Sequence, residues 1–265
     1  MCPVLFRLGG LSVYAYGFFL AMGFVAGALS AVLMAKKEGI SIERVIDLFF
    51  YTIFSAIVGA RLLFVLIHYD FYLKNPLHVF RIWEGGLVFY GGLVLAAGVS
   101  IGYMWRHRLP IWKMVDLFSP SVALGLFLGR MGCFFAGCCY GKATDLPWAV
   151  TFTDPNSLAR LNIPLHPTQL YDAVNGLAIF FFLMWMKRRK SFDGEIFWLF
   201  LLLYSVTRFL IEMLRDDPRG FLFGTLLSTS QAVGIVLAVV SFFMLFYLRG
   251  RKGRAETENG YTGNR

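Results

Sequence analysis

Three ionisable side chains in the segment YSVTRFLIEMLR have the spacing of one helix face. Arg208 and Glu212 are four residues apart and Arg215 follows by three, so an α-helix places all three on the same side. One carboxylate between two guanidinium groups leaves a net positive charge. Because a guanidinium offers a planar fork of donors to phosphate oxygens, this stripe suits the phosphate of a lipid headgroup. The alternative is an ion-pair stripe that has no ligand.

Two further arginines lie in apolar surroundings. Arg130 lies in GLFLGRMGCFFAGCCYGK, whose glycines, including Gly141, indicate a broken helix or a close backbone approach. We expect Arg130 to be a second arginine for the same anion, and the alternative is an arginine that snorkels to the membrane interface. Arg61, in SAIVGARLLF, either binds an anion or pairs with a carboxylate such as Asp116.

Two motifs supply uncharged polar side chains. Tyr90 lies between the glycine pairs of EGGLVFYGGL. It either donates a hydrogen bond in a wet cavity, acts as an acid or base if arginines lower its pKa, or belongs to an interfacial aromatic belt. His166 and Gln169, in LHPTQLYD, begin a predicted helix. They either line a polar cavity or are interfacial residues at the start of that helix.

Three of the four cysteines, Cys133, Cys138 and Cys139, lie close together in the sequence. The spacing C-x4-C-C, with no histidine nearby, matches none of the usual zinc patterns, so we predict no metal site here. A disulfide between Cys133 and one of the pair, small buried side chains, and a nucleophilic thiolate favoured by Arg130 and Lys142 remain as alternatives.

The elements that position these residues are predicted to be membrane-spanning helices. Of the 265 residues, 58% are hydrophobic and only 15% are charged, which points away from a soluble globule. The predicted fold is an all-α membrane protein with about seven transmembrane helices and an outward-facing cap loop at about 135–167, in which WAVTFTD is a candidate strand. The apolar runs are 13–35, 45–67, 87–105, 114–134, 169–186, 196–214 and 225–248.

The distribution of Lys and Arg predicts the orientation. With the N-terminus outside, 15 of these residues fall in cytoplasmic segments and 7 in outside segments, as the positive-inside rule requires. The net charge of +9 is therefore largely a topology signal and does not call for nucleic acid. We predict one polytopic membrane domain, residues 1–254, and a disordered cytoplasmic tail, residues 255–265.

Six motifs in this order resemble the bacterial prolipoprotein diacylglyceryl transferase family. They are YAYG, GARLLFVL, WEGGLVFYGGL, VDLFSPSVALGLFLGRMG, HPTQLYD and RFLIEMLR. The resemblance covers nearly the whole chain. It implies a multi-pass protein of the bacterial cytoplasmic (inner) membrane that works in lipoprotein biosynthesis without metal or cofactor. The implied reaction moves the diacylglyceryl group of phosphatidylglycerol to the lipobox cysteine of a preprolipoprotein and forms a thioether.

The resemblance also implies which residues act. The family's functional positions correspond to Tyr16, Arg130, Gly141, Arg208 and Glu212, with Arg130 as the arginine that binds phosphatidylglycerol. Together with the motifs above, we predict as catalytic Tyr90, Arg208, Glu212 and Tyr16. The predicted substrate-binding residues are Arg130, Gly141, Arg61, His166, Gln169, Arg215, Cys133 and Cys138.

Three positions depart from the family pattern. The family has histidine at Tyr90, asparagine at Cys133 and glutamate at Cys138. Either the histidine mainly donates a hydrogen bond, which a tyrosine can imitate, or this protein differs in function. The alternatives are a lipid transferase with another acceptor, in which the cysteines take part, and a non-catalytic homologue that binds or transports phospholipid.

Overall fold

The computed structural model describes residues 3–8, 11–82, 85–216 and 228–262. It is mostly helical. The helices are α1 (Ala15–Lys37), α2 (Ile42–Ile67), α3 (Tyr69–Lys74), α4 (Phe89–Arg106), α5 (Ile111–Ala136), α6 (Thr168–Lys187), α7 (Glu195–Glu212) and α8 (Thr229–Thr262), with a 3-10 helix at Pro76–Phe80. Two antiparallel pairs complete the secondary structure, β1 (Val4–Leu8) with β2 (Leu11–Tyr14) and β3 (Val150–Thr151) with β4 (Pro164–Leu165).

Each predicted apolar run corresponds to a helix, apart from residues 225–227 of the last run, which lie outside the described residues. Within the described ranges, five helices are long and apolar enough to cross a membrane: α1, α2, α5, α6 and α8 over Thr229–Arg251. Helices α4 and α7 have 18 residues each, which is about 27 Å at 1.5 Å per residue, and α7 contains three charged side chains. The chain is therefore a multi-pass, all-α membrane protein.

The last helix extends into the segment 255–265. Its backbone is helical to Thr262, and the disorder of residues 255–265 stays a prediction from the sequence. The sequence changes from apolar to polar along this helix without a proline that would end it. Residues 263–265 lie outside the described part of the chain.

The described residues form two compact units, Ala31–Met114 and the remainder, Met1–Ser30 with Val115–Arg265. In the first unit, helices α2 and α4 pack through glycines. A Cβ atom on Gly91 would lie 2.4 Å from the Gly59 carbonyl oxygen, and one on Gly92 would lie 2.7 Å from the Ala56 carbonyl oxygen. Small residues allow such backbone contact between membrane helices. The glycine pair at 91–92 therefore faces protein.

In the second unit, helices α5, α6 and α7 surround an apolar core. Its buried members are Ala123, Ile179, Leu183, Ile196 and Phe200. A buried carboxylate fixes one end of this unit. Asp116 of α5 accepts hydrogen bonds from the backbone N–H groups of Gly194 (2.7 Å) and Phe197 (2.9 Å), which cap the start of α7.

The segment between α5 and α6 has its own small core. Phe152, Ala159 and Leu165 are buried there, and Phe134 packs against them. Strand β3 lies inside the WAVTFTD segment, so the prediction of a short strand at that place is confirmed. The segment is anchored to the turn that follows α7, because Lys142 N–H donates to the Leu214 carbonyl at 2.8 Å.

The α2–α4 contact gives a test of this packing. We expect Gly91→Leu to lower the free energy of unfolding by about 1–3 kcal/mol, because its side chain would collide with the α2 backbone. Gly98→Leu is the matched control, since a Cβ on Gly98 of the same helix meets nothing within 4 Å. Thermal unfolding of the detergent-solubilised variants measures the difference, and equal stability of the two would contradict the packing described.

Candidate functional site

One end of the second unit holds a cluster of charged side chains, Arg130, Asp172, Arg208, Glu212 and Arg215, which we call the arginine cluster. It is assembled from the last two turns of α5, the first two turns of α6 and the end of α7. Three of the five side chains belong to the helix-face stripe predicted from the sequence. The structure therefore brings Arg130 to the stripe, as we predict for a second arginine serving the same anion.

Asp172 is the centre of the arginine cluster. Its Oδ2 atom lies 3.2 Å from Nη1 of Arg208, 3.3 Å from Nε of Arg130 and 3.6 Å from Nη1 of Arg215. Its other oxygen, Oδ1, is buried and accepts no hydrogen bond from the described residues. A single carboxylate oxygen thus holds three guanidinium groups from two helices and a chain segment.

Glu212 joins the arginine cluster to the start of α8. Its Oε2 atom lies 2.5 Å from Nη2 of Arg208 and 3.7 Å from Nε of Arg215. Its Oε1 atom accepts hydrogen bonds from the hydroxyl groups of Ser228 (3.3 Å) and Ser230 (2.6 Å). Glu212 therefore positions both arginines without neutralising the cluster.

The cluster carries a net charge of +1, because three guanidinium groups face two carboxylates. Burying such a group is costly unless it is paired, and the surplus charge favours an anionic ligand. The side chain of Arg130 is 17% exposed, against 9% for Arg208 and 2% for Arg215. Arg130 is therefore the guanidinium best placed to contact a ligand, while the other two supply charge from behind it.

Next to Arg130, the three cysteines that are close in sequence are also close in space. Their Sγ atoms lie within 4.8 Å of one another, and all three are thiols. Two left-handed residues, Gly137 (φ 79°) and Cys139 (φ 65°), turn the chain back after α5 and produce this arrangement. The pKa of Cys139 lies below its ordinary value, because the Cys133 and Cys138 thiols hydrogen-bond to it and Arg215 adds positive charge.

Gln169 and Thr168, at the start of α6, hold the cysteine loop. The Gln169 side-chain amide donates to the Cys138 carbonyl, and the Thr168 hydroxyl donates to the Cys139 carbonyl, both at 2.8 Å. Both side chains are completely buried, and Oε1 of Gln169 has no hydrogen-bond partner in the described part of the chain. Gln169, predicted to bind substrate, thus contacts the site through the loop backbone.

Position 141 requires glycine, because His166 and the backbone of Leu214 lie too close for a side chain. A Cβ at this position would lie 2.6 Å from Cβ of His166 and 2.7 Å from the Leu214 carbonyl oxygen. The backbone of Gly141 forms a bridge with Arg215, so any larger side chain would displace the arginine cluster. The His166 ring lies 3.3 Å from the Tyr171 hydroxyl, at the edge of this contact.

Tyr16 lies in the same unit, at the start of α1. Its backbone packs against Gly132, and its side chain, 44% exposed, is within electrostatic range of Arg130 and Cys133. Tyr90 and Arg61, by contrast, belong to the other compact unit. Tyr90 lies in the first turn of α4 and is 53% exposed.

The contacts of Arg61 correct both hypotheses made for it from the sequence. Its guanidinium donates to the backbone carbonyls of His78, Val79, Arg81, Gly85 and Gly86, at 2.6–3.2 Å. These hydrogen bonds occupy the N–H donors of Arg61, so none is left for an anion. The carboxylate of Asp116 pairs with Lys190 at 3.1 Å and not with Arg61. Arg61 is therefore a buried positioning residue that holds the backbone of residues 78–81 and 85–86. Trp83 and Glu84 of the glycine-rich motif lie outside the described residues.

Sequence reasoning missed Asp172, Ser228 and Ser230. A signal existed for Asp172, because an aspartate inside a predicted span, 169–186, is a candidate site residue by default. No sequence signal marks Ser228 and Ser230 as site residues, because serine at the start of a helix is usually an N-cap residue.

The sequence of the chain matches known proteins along nearly all of its length. The family described as prolipoprotein diacylglyceryl transferase matches residues 3–247. A phosphatidylglycerol-prolipoprotein diacylglyceryl transferase from Clostridium tetani is 37% identical over 252 residues, which cover 95% of this chain and 100% of that protein. Proteins of the same name from Geobacter sulfurreducens and Finegoldia magna are 35% and 34% identical, and cover 94% and 92% of this chain and 96% and 94% of their own lengths. The chain therefore belongs to the prolipoprotein diacylglyceryl transferase family.

Proposed function

We propose that this chain transfers the diacylglyceryl group of phosphatidylglycerol to the lipobox cysteine thiol of preprolipoproteins, and so forms a thioether. The observation that carries this proposal is the arginine cluster, a buried site of net charge +1 at the ends of apolar helices, in a chain of the transferase family. Such a site suits the phosphate of a lipid whose acyl chains remain in the bilayer.

The reaction breaks the bond between the glycerol carbon of the diacylglyceryl group and a phosphate oxygen. The substrate thiolate attacks that carbon, a carbon–sulfur bond forms, and the electron pair of the broken bond remains on the phosphate oxygen. Arg130 contacts the phosphate and stabilises the charge that develops there, and Arg208 adds to the positive field. This catalysis is electrostatic and positional, and it needs no covalent enzyme intermediate.

The remaining predicted residues either contact the headgroup or position the side chains and the loop of the site. The hydroxyl group of Tyr16 orients the headgroup, Tyr90 supplies a hydrogen-bond donor to the reaction, and Glu212 holds Arg208 and Arg215. Gly141 and Gln169 position the loop that carries Cys133 and Cys138, and His166 lies beside them. The buried acceptors Oε1 of Gln169 and Oδ1 of Asp172 are complementary to hydroxyl donors, such as those of a glycerol headgroup.

The proposal includes a topology. We propose seven spans, with α4 and α7 as short ones, the N-terminus outside and the C-terminus in the cytoplasm of a bacterial inner membrane. The excess of Lys and Arg in the segments assigned to the cytoplasm supports this orientation. The segment 135–167 is then an outward-facing cap beside the arginine cluster, where an exported preprolipoprotein would arrive.

Removal of the most exposed cluster arginine tests the phosphate site. We expect Arg130→Ala to weaken binding of phosphatidylglycerol about tenfold to a hundredfold, because a hydrogen bond to a charged group contributes about 1.5–3 kcal/mol. Arg160→Ala is the matched control, since Arg160 is 51% exposed and pairs with Asp216. Titration of labelled lipid into the detergent-solubilised protein measures the affinity. Undiminished binding by Arg130→Ala would contradict the site.

Removal of the central carboxylate tests the architecture of the cluster. We expect Asp172→Asn to lower the free energy of unfolding by about 3–5 kcal/mol, because three buried guanidinium groups would then share one carboxylate. Asp193→Asn, at a position whose side chain is 53% exposed, should change stability little. Unfolding of both variants in the same detergent provides the comparison, and a fully stable Asp172→Asn protein would show that Asp172 does not hold the arginines.

The transferase activity is tested directly with labelled phosphatidylglycerol and a lipobox peptide. We expect transfer by the purified protein, a large loss in Tyr90→Phe, and retained transfer in Tyr90→His, because both tyrosine and histidine supply a hydrogen-bond donor. The absence of transfer by every folded, lipid-binding form would instead favour another acceptor or a non-catalytic homologue.

A further inference from the structure

Three thiols that the proposed transfer does not use lie beside the arginine cluster. Cys133 lies in the last turn of α5, and Cys138 and Cys139 follow in the loop. Their Sγ atoms lie within 4.8 Å of one another, and each of the three residues is partly exposed. The family pattern has asparagine at Cys133 and glutamate at Cys138, so this group of thiols is not part of that pattern.

The sulfur atoms are close enough to form a disulfide. An S–S bond is about 2.05 Å long, and rotation of two cysteine side chains between staggered positions brings sulfur atoms 4.8 Å apart or less to that distance. The loop itself is held in place. The side chains of Thr168 and Gln169 donate to the carbonyls of Cys139 and Cys138, both at 2.8 Å, so the thiols stay together.

Covalent geometry selects which two thiols can bond. Cys138 and Cys139 are neighbours in the chain, and consecutive Cα atoms lie about 3.8 Å apart across a trans peptide, which is less than the roughly 4.4–6.8 Å of a disulfide. The Cys138 thiol also points to the carbonyl oxygen of Cys133, 3.8 Å from its Sγ atom. The left-handed residues Gly137 (φ 79°) and Cys139 (φ 65°) turn the loop back toward α5. The pair that can close a disulfide is therefore Cys133 with Cys139.

Cys139 is the thiol best suited to attack an external disulfide. Its pKa lies below the ordinary value, because the Cys133 and Cys138 thiols hydrogen-bond to it and Arg215 adds positive charge. The thiolate, not the thiol, is the nucleophile of thiol–disulfide exchange. Arg215 is also a member of the arginine cluster, where its Nη1 atom lies 3.6 Å from Oδ2 of Asp172. A charge on Cys139 therefore acts on the cluster.

We propose that Cys133 and Cys139 are a redox-active dithiol, which low-molecular-weight disulfides oxidise to a Cys133–Cys139 disulfide, and that this oxidation raises the affinity of the arginine cluster for a phosphate group. In the reduced protein, the Cys139 thiolate offsets the net charge of +1 on the cluster. In the oxidised protein neither sulfur atom is charged, so the whole charge acts on the anion. Only the effect on phosphate rests on the proposed function, which makes a lipid phosphate the ligand of the cluster.

The oxidation is a thiol–disulfide exchange in two steps. The Cys139 thiolate attacks one sulfur atom of the external disulfide, whose S–S bond breaks, and the first thiolate leaves with the electron pair. The Cys133 thiol gives its proton to that leaving thiolate, and its sulfur attacks the Cys139 sulfur of the mixed disulfide. The second thiolate then leaves as the Cys133–Cys139 bond forms. Two electrons pass from the dithiol to the external disulfide.

Thiol labelling measures this oxidation without any assay of function. Trypsin cleaves after Arg130 and Lys142, so all three thiols of the loop lie in the peptide 131–142. We expect the reduced full-length protein in detergent to give this peptide with all of its cysteines alkylated. After incubation with oxidised glutathione, we expect one alkylated cysteine, an internal disulfide and no retained glutathione.

Serine variants separate the roles of the three thiols. Cys133→Ser should retain glutathione on Cys139, because the mixed disulfide has no second thiol to displace it. Cys139→Ser should react at least about tenfold more slowly, because the attacking thiolate is gone. Cys138→Ser is the matched control and should form the disulfide as the wild type does. Cys139→Ala repeats the test with an apolar side chain, and thermal unfolding of the reduced variants shows that they are folded.

Two results would overturn the dithiol. One is a wild-type peptide 131–142 that keeps all of its thiols in oxidised glutathione. The other is an internal disulfide that forms at the wild-type rate in Cys139→Ser, because the bond would then join Cys133 to Cys138.

Lipid titration measures the effect on the phosphate site. We expect the oxidised protein to bind labelled phosphatidylglycerol about threefold to tenfold more tightly than the reduced protein, because a negative charge beside Arg215 is removed. Labelled diacylglycerol, which lacks the phosphate, should bind equally in both states. Cys139→Ser should show no difference between reducing and oxidising conditions, since it has no thiolate at this position, whereas Cys138→Ser should keep the difference.

The outcomes separate this inference from the proposed function. Equal affinity of the reduced and oxidised proteins for phosphatidylglycerol would overturn the effect on phosphate. A disulfide that forms in a protein without affinity for phosphatidylglycerol in either state would contradict the proposed function and support the dithiol alone. Lipid binding that depends on the redox state, without transfer to a lipobox peptide, would support the whole inference and count against the transferase.

Discussion

The sharing of one carboxylate oxygen by three guanidinium groups is the interaction on which the site depends. Asp172 Oδ2 lies within 3.6 Å of Arg130, Arg208 and Arg215, which come from α5, α7 and the segment after α7. Like charges at such distances repel strongly in a buried environment, so the arginines can only gather around a common counter-charge. The position of Asp172 in the second turn of α6 therefore fixes how the ends of three helices meet.

The arginine cluster keeps a net positive charge, and the contacts of its second carboxylate, Glu212, show why. Glu212 directs one oxygen to Arg208 and Arg215 and the other to the hydroxyl groups of Ser228 and Ser230. The hydroxyl groups satisfy an oxygen that would otherwise require a fourth cation or remain unpaired, which would be costly when buried. A net charge of +1 thus remains for an anion, because both oxygens of Glu212 are bound by groups of the protein itself.

The sequence predicts the parts of this fold whose signals are local. Hydropathy locates each of the seven long helices, because a span must be apolar for about 20 residues, and the spacing of Arg208 and Glu212 places both on one face of α7 because helix geometry repeats. Arg215 lies after the end of α7 and reaches the cluster from the following segment. What the sequence does not predict depends on distant contacts. The five carbonyls around Arg61 become acceptors only once residues 78–81 and 85–86 lie next to it, and the sharing of Asp172 requires the α5–α6–α7 arrangement.

A single stretch of chain, residues 129–142, contacts the arginine cluster near both of its ends. It carries Arg130 on α5, Cys133 one turn later and the two further thiols after the left-handed turn. It then returns to the arginine cluster, where Gly141 forms a backbone bridge with Arg215. Because both ends of this stretch contact the cluster, a shift of the arginines would move the thiols with them. The most exposed arginine of the cluster and the backbone that bridges to Arg215 are thus held at a spacing set by local backbone geometry, and such fixed positioning is what electrostatic binding of an anion requires.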